Sequence, residues 1–143
     1  MSSYCSQLAG LVFAAGLAFG GAASAEMMEM NIDLSGAEEV PPVETSATGE
    51  VEVEFDSDTR MLSWEIDYSG LSSDATAAHF HGPADPGENA APVVPVEDFA
   101  DGAEGSAELT EEQAALLADG KMYFNLHSTN NPGGEIRGQV MAQ

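Results

Sequence analysis

From residue 49 onward, apolar and polar positions alternate along the chain. Val51, Val53 and Phe55 alternate with Glu50, Glu52 and Glu54. After the turn-forming run Asp56-Ser57-Asp58-Thr59, the alternation resumes through Leu62, Trp64, Ile66 and Tyr68. A period of two with apolar residues on one side describes half-buried strands, here a β-hairpin. Met30, Ile32 and Leu34 alternate in the same way ahead of it, and residues 35–48, with Pro41-Pro42, read as a loop. Further on, His79-Phe80-His81 lies in a strand, and residues 82–92 form an irregular loop rich in Gly, Pro, Asp and Asn. Residues 93–96 read as a short edge strand, because Pro95 cannot donate to a ladder. Residues 106–109 suggest another short strand, and residues 121–128 and 135–141 two more around an Asn-Asn-Pro-Gly-Gly turn. Thr110 and Gln113 form a capping-box signature, and Gly120 ends the one helix expected, near 110–119. Many short strands and a single helix predict an all-β sandwich or barrel.

The alternation also sorts the polar residues. Phe80, Phe124, Leu126, Ile136 and Val140 claim the core. His79, His81, Tyr123, Asn125, His127, Glu135, Arg137 and Gln139 then share the opposite, outward face. These include all three histidines of the chain. Two imidazoles two residues apart on a strand stand about 7 Å from each other, a spacing at which both can hold one ion. His79, His81 and His127 are therefore candidate metal ligands, provided that their two strands are neighbours. Imidazole suits copper, zinc, iron and nickel, and copper is the first expectation, with zinc as the alternative. The competing reading gives these rings a structural task, hydrogen bonding the backbone of the 82–92 loop, which begins next to His81 and can shelter that face. Tyr123, Asn125, Glu135 and Arg137 are expected around the site, the last two as an ion pair. Met27, Met28 and Met30 offer soft thioethers for Cu(I), but they read more simply as the start of a strand.

Composition narrows the partners. The formal charge is −22, from 25 acids against three bases, all beyond residue 25. Such a surface excludes nucleic acid and anionic membranes, which need clustered Lys and Arg, and favours a solvated, self-repelling exterior. Residues 8–20 form an apolar run, and Ala23-Ser24-Ala25 supplies the small residues of a cleavage site. Residues 1–25 are thus expected to be a signal peptide, although no Lys or Arg precedes the apolar run. An uncleaved anchor is the alternative. Residues 26–143 are expected to form one periplasmic or secreted domain, free of membrane after cleavage. The single cysteine, Cys5, lies before the apolar run, so the domain itself has no disulfide and no lipid attachment is expected. Neither a Gly-x-Ser-x-Gly elbow nor a phosphate-cradling loop is present.

Several runs resemble the CHRD (chordin) domain. They are Ala78-His79-Phe80-His81-Gly82-Pro83-Ala84, Gly87-Glu88-Asn89, Leu109-Thr110 with Leu117 and Gly120, and Tyr123-Phe124-Asn125-Leu126-His127-Ser128. The most specific is Asn131-Pro132-Gly133-Gly134-Glu135-Ile136-Arg137-Gly138-Gln139, and the likeness spans residues 30–140. It implies a stand-alone exported protein of the bacterial type. Chordin's growth-factor binding does not follow, because a single domain of the bacterial type is expected without the cysteine-rich modules beside it in chordin. More distantly, His79, His81, His127 and Arg137 stand in the order of the copper-binding histidines and the arginine of copper/zinc superoxide dismutase. That likeness implies an immunoglobulin-like or superoxide-dismutase-like Greek-key β-sandwich or barrel and a copper ion. No further histidine follows His81 before His127, so the bridging ligand and zinc site are missing, and the −22 charge repels superoxide. Three readings result, in order: an exported copper binder, a metal-free interaction module with an unknown protein partner, and a dismutase-like oxidoreductase.

Overall fold

The computed structural model describes residues 24–142, so the expected signal peptide lies, up to residue 23, outside the described residues. Eight strands form one antiparallel sheet. They are β1 (Met27–Ser35), β2 (Thr48–Asp56), β3 (Met61–Ser69), β4 (Ala75–His81), β5 (Pro92–Val96), β6 (Ala103–Glu108), β7 (Met122–Ser128) and β8 (Ile136–Val140). Their order across the sheet is β5-β4-β7-β8-β1-β2-β3-β6. Trp64 on β3 and Phe80 on β4 stand far apart in that order, yet their rings meet at 5.3 Å. The sheet is therefore curled into a nearly closed barrel with its seam between the edge strands β5 and β6. The β3–β4 and β6–β7 connections cross this seam and skip two strands each, the overstepping pattern of a Greek key.

The alternating residues fill the interior as expected. Met30, Ile32, Leu34, Val51, Val53, Phe55, Leu62, Ile66, Phe80, Phe124, Leu126, Ile136 and Val140 are all buried. Met30 points inward as a strand residue while Met27 is exposed, so the methionine run is the start of β1. Helix α1 (Glu111–Ala118) begins with the capping box, Thr110 accepting from the Gln113 N–H and Gln113 accepting from the Thr110 N–H. Its Gln113 amide also donates to the Val93 carbonyl, and Leu117 enters the core. Among the described residues no helix is long and apolar enough to cross a membrane.

The outer face of β1, β2, β3 and β6 carries a lattice of carboxylates. Register sets Glu29 opposite Glu54, Asp33 opposite Glu50, Glu50 opposite Asp67, Glu52 opposite Glu65 and Glu65 opposite Glu104. Partial burial, followed by the charges of Asp67, Glu104 and Glu52, pushes the Glu65 carboxyl up. Directly opposed like charges destabilise a sheet. At 1 M salt the screening length shrinks to about 3 Å, shorter than the strand spacing. Raising NaCl from 20 mM to 1 M is accordingly expected to increase Tm by about 5 °C. A Tm that is flat or falling across this series would show that the lattice carries no net repulsion.

Candidate metal centre

Strands β4 and β7 are neighbours. Their register sets His81 opposite Tyr123, His79 opposite Asn125 and Ala77 opposite His127. Phe80 points into the core, which turns both flanking imidazoles to the other face, and the small Ala77 leaves room beside His127. The expectation that one face carries all three histidines is met. One donor nitrogen from each ring lies within 4.8 Å of the others.

Each ring is oriented by a specific partner. His81 Nδ1–H donates to the Ala90 carbonyl at 2.9 Å, and His127 Nδ1–H to the Pro132 carbonyl at 2.9 Å. Both bonds leave Nε2 as the lone-pair nitrogen. His127 Nε2 accepts from His79 Nδ1–H at 3.3 Å, a bond that a bound ion would replace, and His81 Nε2 is buried with no hydrogen-bond partner. Two nitrogens bound to one tetrahedral ion at about 2.0 Å stand roughly 3.3 Å apart, so the His79–His127 pair already has a ligand-like spacing. Burial, and then the His127 imidazole, lower the pKa of His79; burial does so for His81 despite the opposing Ala90 bond. Neutral rings with free lone pairs are the form that coordinates a metal. His81 is buried while His79 and His127 are half-buried, so the cluster opens to solvent on one side.

The face predicted to be outward is not exposed. Two segments cover it. The 82–91 loop is held by His81, by the Tyr123 hydroxyl donating to the Ala90 carbonyl, and by Arg137 donating to the Glu88 carbonyl and Asn89 Oδ1. Lys121 pairs with Asp85 at its near end. The 36–47 segment lies beside it, and Asn89 donates to the Val40 carbonyl. Beneath these covers Tyr123, Asn125, Glu135 and Arg137 are all buried. Tyr123 stacks on His81 with centroids 4.7 Å apart and planes 10° apart.

Glu135 and Arg137 do not form the expected ion pair. Glu135 is fully buried and accepts from the Thr45 hydroxyl, the Ser72 N–H and hydroxyl, and the Ser128 hydroxyl at 2.5–2.9 Å. Burial raises its carboxyl, but these four donors together outweigh it and bring the pKa down to about 2. A second acid, Glu39, escaped sequence reasoning altogether. It descends from the 36–47 segment onto Asn125, whose Nδ2 donates to Glu39 Oε1 at 2.6 Å. Burial pushes Glu39 up to about 7, against the pull of Asn125 and Arg137. Only a glycine fits beneath this contact, since a Cβ on Gly134 would lie 2.4 Å from the Asn125 amide and 2.5 Å from Glu39 Oε1. No periodicity marks an acid in a Pro-rich loop, so Glu39, Thr45 and Ser72 left no signal to read.

No curated protein and no solved structure matches the chain. A family model does match. It describes the CHRD domain and aligns with residues 30–140, which takes in most of β1, the histidine-bearing strands, both covering segments and the Gly134–Gly138 run. The chain therefore belongs to the CHRD-domain family.

Proposed function

We propose that this CHRD-domain protein is an exported copper-binding protein that holds one ion through His79, His81 and His127. The observation that carries the reading is the buried, unpartnered Nε2 of His81, pointing out of a ring whose other nitrogen is tied to a backbone carbonyl. A histidine with a purely structural task has no need of a second, orphaned polar atom, which is costly in a buried place. Carbonyl-anchored imidazoles are also the usual support of metal-binding histidines. Three nitrogen donors with one open side suit copper, and zinc is the alternative ion for the same set. Export follows from the apolar run and small-residue cleavage site at the start of the chain.

Titration of residues 26–143 with Cu(II), followed by EPR and visible absorption, is expected to give one nitrogen-ligated copper per chain. His79→Ala/His81→Ala/His127→Ala should abolish that signal, and saturating metal should raise the wild-type Tm through mass action. The opposing reading, a metal-free interaction module, draws on the loop-holding bonds of His81 and His127. It predicts a Tm indifferent to metal and chelator, and spectra unchanged by the triple substitution. That pair of results would end the copper reading.

A further inference from the structure

Arg137 is 2% exposed and carries a fixed charge. Among the described residues the ion pairs are Arg60–Glu108 and Lys121–Asp85, and Arg137 takes part in neither. Its donors go to neutral acceptors, Asn89 Oδ1 at 3.0 Å and the Glu88 carbonyl at 2.5 Å. The guanidinium carbon stands 3.4 Å over the Tyr123 ring centroid. Tyr123 lies on β7, between His81 on β4 and Arg137 on β8, and its ring stacks on His81. A buried cation with no carboxylate at ion-pair distance thus sits one aromatic ring away from a candidate ligand. Such a charge is costly unless something offsets it or uses it.

We propose that Arg137 sets the charge preference of the metal centre, disfavouring a divalent ion relative to a monovalent one and so biasing the site toward Cu(I). The inference rests on the reading of the three histidines as a copper site. Repulsion from a fixed cation doubles when the ion's charge goes from one to two. Across one stacked ring, at an effective dielectric constant near 20, the extra unit of charge changes relative affinity by about tenfold. The aromatic ring between them keeps water out of the intervening space. The groups facing the guanidinium are His81, Tyr123 and Asn125 on the sheet, Asn89 on the loop, and Glu39 on the 36–47 segment. Glu88 offers Arg137 its carbonyl, while its carboxylate accepts from the Asp85 N–H. Glu39 is the one carboxyl of this group, and burial keeps it protonated up to about pH 7. Below that pH the guanidinium is uncompensated.

The test is the midpoint potential of bound copper, measured by mediator titration at pH 6. Arg137→Gln is expected to lower it, with the Cu(I)-to-Cu(II) affinity ratio falling about tenfold, whereas Arg137→Lys should keep it near wild type. Both substitutions loosen the 82–91 loop and lower Tm, so a merely structural role predicts the same potential for both. Should Arg137→Gln fail to fold, Glu39→Gln serves at pH 8. It removes the opposing carboxylate while keeping the Asn125 bond, and it should raise the potential. Wild type that holds copper at a potential indifferent to these substitutions overturns the proposal alone. Wild type that holds no copper overturns the site reading, and this proposal with it.

Discussion

Replacing Glu135 by glutamine is expected to destabilise the protein by about 3 kcal/mol at pH 7, with no change in volume. The reason lies in what the carboxylate holds. Thr45 belongs to the 36–47 segment, Ser72 to the β3–β4 connection and Ser128 to the end of β7, and all three converge on Glu135. These segments are far apart in sequence, and the carboxylate ties them together. An amide keeps one acceptor oxygen and turns an NH2 group toward hydroxyls that were donating. At least one buried donor is left without a partner.

The pH dependence separates this explanation from simple packing loss. The native pKa of about 2 lies below the value of about 4.5 expected in the unfolded chain. The unfolded state therefore binds more protons in this interval, and stability rises with pH through it. The contribution is fully present above about 4.5 and is lost as pH falls through 2. Urea unfolding of wild type and Glu135→Gln should thus differ most above pH 5 and converge near pH 2. A gap of constant size from pH 7 to pH 2 would mean that the charge is not what the four donors stabilise. Glu39 acts in the opposite sense. Its raised pKa means that the folded state keeps a proton the unfolded state has given up, so its contribution is lost as pH climbs from about 4.5 through 7. The combined contribution of the two acids is therefore greatest near pH 4.5, where that of Glu135 is complete and that of Glu39 has only begun to fall.

The difference between these two acids and the histidines shows what was legible in the chain. Strand alternation through Val51–Phe55 and Leu62–Tyr68, and the Thr110/Gln113 capping box, are local patterns, and the structure reproduces them. The edge strands β5 and β6 were each expected a little shorter than they are, since Pro92 and the Ala103–Gly105 run lack apolar periodicity. The convergence of His79, His81 and His127 followed from period-two geometry once β4 and β7 were taken as neighbours. Alternation, however, says only which residues share a face. It cannot say that the face is covered, because the covering segments, 36–47 and 82–91, are irregular chains bound by individual hydrogen bonds. For that reason Arg137 and Glu135, two residues apart and opposite in charge, suggested an ion pair. In the fold the acid is saturated by hydroxyls and a backbone N–H, and the base reaches over Tyr123 to the loop instead.

Gly138→Ala is expected to cost about 3 kcal/mol or more, the second large effect and one that probes how β8 is seated on β1. A Cβ at residue 138 would lie 2.4 Å from the Asp33 carbonyl oxygen and 2.5 Å from Ile32 Cγ2, with Leu34 Cδ2 at 3.1 Å. The first of these is main chain of β1, which cannot swing aside as a side-chain tip can. Relief requires β8 to move away from β1 at the Ser35–Arg137 bridge, and that movement would also shift Arg137 and Glu135 beside it. The alanine variant should therefore show a lowered Tm together with loss of the ordered loop, read as faster amide exchange at Glu88, Asn89 and Ala90. Gly133→Ala is the control within the same run, because a Cβ there meets nothing within 4 Å, and its effect should stay within about 0.5 kcal/mol. If Gly138→Ala were as silent as Gly133→Ala, β8 would have to be free to separate from β1. The close seating of the Glu135–Arg137 layer on β1 would then not be what orders the loop over the histidines.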